Sequence, residues 1–149
     1  MQKELVLTID YELFFGKKSG TVQNCMLKPT DLLMNLLDKY QSKMTIFWDI
    51  LHYWKLLQLE KLHPEQKKDR TAIKSQICDM VKRGHDVQLH IHPHWLDTDF
   101  EKGEWCFSYD RYALHDLKAD PHSTDINTIN GCLRISRIFI EEICSISIV

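Results

Sequence analysis

Three short strand-like runs, each separated from the next by a span with helical periodicity, constrain this chain more than anything else in it. Leu5-Val6-Leu7-Thr8-Ile9 and Met44-Thr45-Ile46-Phe47-Trp48 have the length and composition of buried strands, and Asp86-Val87-Gln88-Leu89-His90 reads as a third strand. After the first run, Pro29-Thr30-Asp31 opens a helix whose apolar positions are Leu32, Leu33, Leu36, Leu37 and Tyr40, with proline in its first turn. After the second comes a helical stretch through His52 to Leu57, a polar connector from His63 to Lys68, and a helix from about Asp69 to Arg83. That last helix carries Ile73, Ile77, Met80 and Val81 on one face, and Gly84 stands where a capping glycine belongs. Strand and helix alternating at this spacing predict βαβ units: an α/β fold of parallel strands with flanking helices.

Downstream the pattern loosens. Trp95 to Ser108 is aromatic-rich and reads as loop, and Arg111 to Leu117 as a short helix. Ser123-Thr124-Asp125 is expected to cap a final helix bearing Ile126, Ile129, Leu133, Ile140 and Ile143, and residues 145–149 look strand-like. Phe14-Phe15-Gly16 followed by Lys-Lys-Ser-Gly is expected to be a loop.

Residues 1–149 read as a single domain, 44% hydrophobic and 27% charged, which suits a folded core rather than disorder. The net charge of −2 and the scattered basic residues give no nucleic-acid groove and no polybasic membrane patch. No window is long and apolar enough for a membrane span, and no charged segment with an apolar stretch behind it marks a signal peptide. A cytoplasmic location is therefore expected. The five cysteines include no CxxC pair and read as reduced thiols.

The chemistry-bearing residues collect at strand ends. Asp10-Tyr11-Glu12 follows the first run, and the third runs into His90-Ile91-His92-Pro93-His94. In α/β sheets the carboxyl edge of the strands is where sites are built. Imidazole nitrogens and carboxylate oxygens are the donors that zinc and similar divalent ions take, with three protein ligands and one open position in catalytic sites. If the chain turns after Ile91, as Pro93 favours, His90 and His94 converge, and Glu12 on a neighbouring strand supplies the third ligand. Asp10 shares a face with Glu12 and is placed to act as general base. His52, His63, His85, His115 and His122, taken singly, read as ordinary structural or surface histidines.

These residues resemble a known family, the NodB-like polysaccharide deacetylases (carbohydrate esterase family 4). Leu7-Thr8-Ile9-Asp10-Tyr11-Glu12 is similar to the family's first motif, an apolar strand ending in paired acids. Met44-Thr45-Ile46-Phe47-Trp48 is similar to its second strand, and Gly84-His85-Asp86-Val87 through His94 matches its Gly-His-Glu-Ile run with the following His-x-x-x-His. The resemblance implies an irregular (β/α)7-type barrel, of which this chain holds the N-terminal part. It also implies a divalent ion, usually Zn2+, and hydrolysis of N-acetyl groups on an amino-sugar polysaccharide or glycan precursor. Residue by residue, His90, His94 and Glu12 would be metal ligands and Asp10 the catalytic base. Trp95, next to His94, is the aromatic best placed to stack on a sugar.

The sequence departs from the family in two places: Ile91 replaces the Ser or Thr after the first histidine, and Tyr11 separates the two acids. The resemblance spans about residues 4–95, and the family's later Arg, Asp/Trp and Leu-x-Leu-His motifs are not found in order. Arg111 and His115 are the nearest residues by type. The chain is accordingly expected to be a truncated or shortened domain. Two other readings stay open: a non-catalytic metal- or glycan-binding remnant, and an amidohydrolase-type enzyme using the H-x-H of His90 and His92.

Overall fold

The computed structural model describes residues 5–15 and 19–145; residues 1–4, 16–18 and 146–149 lie outside them, and with them most of the expected strand-like tail and part of the expected loop after Phe15. Element order is β1 (Thr8–Tyr11), α1 (Lys28–Lys39), β2 (Thr45–Asp49), α2 (Ile50–Leu59), α3 (Gln66–Lys82), β3 (Asp86–His90), β4 (Asp99–Glu101), β5 (Glu104–Cys106) and α4 (Ile129–Ser145). A π-helical segment, Val22–Leu27, leads directly into α1, and short 3-10 turns lie at Pro93–Leu96 and Leu114–Asp116.

β1, β2 and β3 form a parallel sheet in that order, with Tyr11 opposite Trp48 and Asp49 opposite His90. The α/β class and the flanking helices are as expected. Among the described residues the sheet is open, with β1 and β3 at its two edges, and no closed barrel is found. β2 lies in the middle and is the best buried strand: Ile46, Trp48 and Asp49 are inaccessible. α2 packs Ile50, Leu51, Tyr53 and Leu56 inward, and α3 contributes Ile73, Ile77 and Met80. At full burial such aliphatic side chains each contribute roughly 1.5–3 kcal/mol.

The exit from α3 fixes where β3 begins. Gly84 has φ +80, its N–H donates to the Val81 carbonyl at 2.9 Å, and His85 N–H donates to the Met80 carbonyl at 3.0 Å. This is a Schellman cap, which needs the left-handed backbone that glycine adopts without strain. A second buried device holds β1. Tyr11 donates its hydroxyl to Gln76 Oε1 at 2.7 Å, and the Gln76 amide donates to the Leu27 carbonyl at 2.8 Å and to Asp31 Oδ1 at 2.6 Å. The carboxyl end of β1 is thereby tied to α3 and to the start of α1.

Several elements differ from the sequence expectation. The first strand is Thr8–Tyr11, and Leu5 and Val6, expected in a buried strand, are exposed. The helix expected over Arg111–Leu117 is only the 3-10 turn Leu114–Asp116, and α3 starts at Gln66, inside the expected connector. On α1, Thr30 and Met34 are the buried positions, while Leu32, Leu36 and Tyr40 face outward. The stretch after Trp95 forms a hairpin, β4–β5, turned by Lys102 (φ 51) and Gly103 (φ 83), the two positive-φ positions of a type I′ turn. The last helix begins at Ile129, four residues past Asp125, and the Thr128 hydroxyl accepts the Gly131 N–H at 3.2 Å.

Candidate metal centre

Two strand ends meet at the carboxyl edge of the sheet. Glu12 follows β1, and His90 is the last residue of β3. His92 stays extended (φ −115, ψ 98), so it projects from the same side of the chain as His90, two residues earlier. The three side chains converge on one point. Glu12 Oε2 lies 3.1 Å from His90 Nε2 and 3.0 Å from His92 Nε2, and the two imidazole nitrogens are 2.9 Å apart. Among the described residues this is the group of three acidic, His or Cys side chains with metal-ligand spacing.

The donor set fits a divalent ion. Two imidazoles and one carboxylate are the ligands of catalytic zinc sites and of non-haem iron sites. Ligands bonded at about 2.0–2.1 Å to one ion stand roughly 2.8–3.4 Å apart for octahedral to tetrahedral geometry, and the observed edges of 2.9, 3.0 and 3.1 Å fall within that range. The tautomers point the same way: the facing Nε2 atoms of His90 and His92 can share only one proton between them if both imidazoles bond well. A cation accepts all three lone pairs at once.

The local field is strongly polarised. Burial alone would raise the Glu12 carboxyl, but hydrogen bonds from His90 and His92 outweigh it and hold the group at about 2. His90 is raised, first by its hydrogen bond to Glu12 and against burial, with help from Asp49 and Asp10. Asp10 is exposed on β1 and sits near enough to act electrostatically on His90.

The structure differs from the expected ligand set at one position, with His92 standing where His94 was expected. Pro93 begins a 3-10 turn that carries His94 away from the triangle and into an aromatic nest. There His94 is fully buried, 4.5 Å from Phe15 and stacked on Tyr112 at 5.8 Å, and neither ring nitrogen has a hydrogen-bond partner among the described residues. Its pKa is lowered to about 4 by burial and then by His92. Trp95, expected to stack on a sugar, is fully buried; its indole N–H donates to Asp49 Oδ2 at 2.6 Å and its face stacks on His52 at 4.5 Å. It is part of the core rather than an exposed platform.

Arg111 and His115 stand apart from the centre. Arg111 is engaged with Asp97 at 2.6 Å and with Asn127 at 3.0 Å, and the His115 side chain is open to solvent. Two features went unread in the sequence. Asp49, the buried carboxylate that ends β2, lies one residue past the apolar run Met44–Trp48 that marks the strand in the sequence. Tyr109 and Tyr112, both exposed, stand against the His92–His94 segment at ring distances of 5.1–5.8 Å. Comparison with family models, with curated proteins and with solved structures gives no match to this chain.

Proposed function

We propose that the chain is a metal-dependent hydrolase that cleaves an amide, the N-acetyl group of an amino-sugar glycan or glycan precursor. The observation that carries this reading is the triangle of Glu12, His90 and His92 at the carboxyl edge of a parallel sheet. A zinc or similar ion bound there would polarise the acetyl carbonyl and bring water to a nucleophilic state near neutral pH. Glu12, His90 and His92 would hold that ion. Asp10, on the same side of the chain as Glu12, takes the proton that the water loses as it adds to the acyl carbon. The C–N bond then breaks, the nitrogen leaves protonated as the amine, and acetate is the second product.

Tyr112 and Tyr109 support a ring-bearing substrate: Tyr112 presents exposed aromatic surface 5.1 Å from His92, and exposed Tyr109 stands 6.2 Å from Tyr112. Their amphipathic rings offer an apolar face and a hydroxyl to a sugar. The irregular barrel of the polysaccharide deacetylases belongs to the same proposal, with β1, β2 and β3 as its first three strands.

The first test is metal content. Purified protein dialysed against Zn2+ should retain about one equivalent, and less than a tenth would reject the reading. Zinc-loaded protein should then release acetate from N-acetylated chito-oligosaccharides. Tyr112→Ala should raise KM several-fold with a smaller change in kcat if the tyrosine holds the sugar.

One observation favours a second reading. His92, not His94, joins His90 in the triangle, and an H-x-H pair at a strand end is the arrangement of amidohydrolase-type enzymes. Both readings use His92, so His92→Ala should lose metal binding and His94→Ala should keep it. The substrate separates the two: acetate released from N-acetylated chito-oligosaccharides favours the deacetylase, while zinc-dependent opening of a cyclic amide with no acetate release favours the amidohydrolase-type enzyme.

A further inference from the structure

Asp49 is a carboxylate whose place in the fold does not account for it. It ends β2 opposite His90 in the β2–β3 ladder, and it is fully buried. It also stands at the N-cap of α2, where an aspartate ordinarily accepts a hydrogen bond from the second or third helical N–H. Its side chain makes no such bond. Oδ2 accepts the Trp95 indole N–H at 2.6 Å, while Oδ1, closed off from solvent, has no hydrogen-bond partner among the described residues. Neither protonation state removes this deficit. An ionised Oδ1 lacks a donor, and a protonated one lacks an acceptor.

The groups whose charges act on this carboxylate include all three corners of the triangle, His92, Glu12 and His90. Yet Asp49 stands outside the set whose ligand atoms lie within 4.8 Å of one another. In a parallel ladder, residues opposite one another project from the same face of the sheet, so Asp49 shares a row with His90 while standing outside the ligand set. A carboxylate in that place can reach the ion through one water, by a metal–oxygen bond of about 2.0–2.1 Å and a hydrogen bond of about 2.7 Å.

We propose that Asp49 is a positioning residue of this centre: its free Oδ1 accepts a hydrogen bond from the water that shares the ion with Glu12, His90 and His92. Trp95 fixes the rotation of the carboxylate through Oδ2. The inference rests on the reading that the triangle holds a divalent ion. The competing account, an acid kept in the core only to satisfy Trp95, predicts the opposite response in stability.

The test compares wild type, Asp49→Asn and Trp95→Phe in three measurements: Zn2+ affinity by competition with a chromophoric chelator, the visible spectrum of the Co2+-loaded protein, and the Tm of the metal-free protein. For Asp49→Asn, the metal-free Tm should equal or exceed that of wild type, because an amide replaces a buried acid. Zn2+ affinity should fall 10- to 100-fold, the usual effect of removing a partner beyond the ligands, and the cobalt bands should shift. Trp95→Phe should shift affinity and bands in the same direction by less. A folded Asp49→Asn that binds Zn2+ within threefold of wild type with an unchanged cobalt spectrum overturns the proposal. So does a metal-free Asp49→Asn that melts well below wild type while its cobalt bands stay in place. If Asp49→Asn does not fold, Trp95→Phe decides by affinity and bands. A wild type that takes up no metal removes the metal reading and this inference together; tight wild-type binding with unaffected variants removes this inference alone.

Discussion

His52 and His94 lie fully buried around Trp95, and all four of their ring nitrogens lack hydrogen-bond partners among the described residues. Burial, reinforced by the charge of His94, lowers His52 to about 3; burial, reinforced by His92, lowers His94 to about 4. Both values lie below the usual imidazole value of about 6.5. The folded protein therefore holds these rings neutral, while the unfolded chain protonates them once pH drops below that value. Their contribution to stability is complete above about pH 6.5 and is lost as pH falls toward 4 and 3, at about 1.4 kcal/mol per pH unit for each ring. Glu12, held at about 2, keeps its contribution down to about pH 4.5 and loses it only below that. His90 behaves in the opposite sense: its raised pKa stabilises below about 6.5 and is lost as pH rises through the folded value. Burial raises Asp49 to about 7, so it gains stability as pH falls from there and offsets about one ring; between pH 6.5 and 4.5 the two buried rings together still outweigh it. The Tm of the metal-free protein should fall steadily across that window. His52→Phe keeps the stacking on Trp95 and removes two unpartnered nitrogens, so it should raise Tm and flatten the slope; thermal melts at half-unit pH steps that show wild-type slope in the variant would contradict the assignment. At this scale the sequence brought Glu12 and His90 together, because acids and imidazoles at strand ends share a periodicity with the strands. The choice of His92 over His94 turned on where Pro93 bends the chain, a tertiary outcome. Asp49 lies one residue past the apolar run that marks β2 in the sequence.

Element boundaries were readable where a local rule decides them. Gly84 was legible because only a residue tolerant of φ +80 closes α3 with a Schellman cap, and β3 then starts where the alternation says it should. Gly84→Ala tests that rule. The added methyl would meet nothing closer than Lys43 Cε at 3.7 Å, so the loss is backbone strain rather than a clash. A left-handed alanine costs roughly 1–2 kcal/mol, which for a chain of this size lowers Tm by roughly 3–8 °C. Zn2+ affinity should fall with it, since the cap sets the start of the strand that ends in His90. A drop under 1 °C would mean that the cap is not holding β3. Other boundaries were decided by contacts far along the chain. The burial of Thr30 and Met34 on α1, in place of Leu32 and Leu36, follows from the neighbouring hydrogen bond of Gln76 to Asp31 and from the π-helical lead-in at Val22–Leu27. Helical periodicity alone places an apolar stripe but does not say which flank of it the sheet will cover.

Across the whole molecule, apolar surface left uncovered is the counterpart of the open sheet. Leu32 is 72% exposed and Tyr40 65%, and with Leu36 they recur every fourth residue down the outer face of α1. β1 and β3 each pair only with β2, so both present an unpaired edge among the described residues. Open edges and contiguous apolar stripes are the two features that lead a folded chain to associate with copies of itself. The net charge of −2 provides little repulsion to oppose this. Sedimentation velocity should therefore show a species heavier than the 17.7 kDa chain, its share growing as protein concentration is raised from the micromolar range to several hundred micromolar. Leu32→Gln combined with Leu36→Lys should shift the distribution to monomer. Because both side chains face outward, the pair should change stability by no more than about 0.5 kcal/mol each, and the Zn2+ affinity of the distant triangle should stay at its wild-type value. If the double variant associates as strongly as wild type, the sheet edges rather than α1 carry the contact, and a charge placed on β3 at outward-facing Gln88, as in Gln88→Lys, becomes the variant that should yield the monomer.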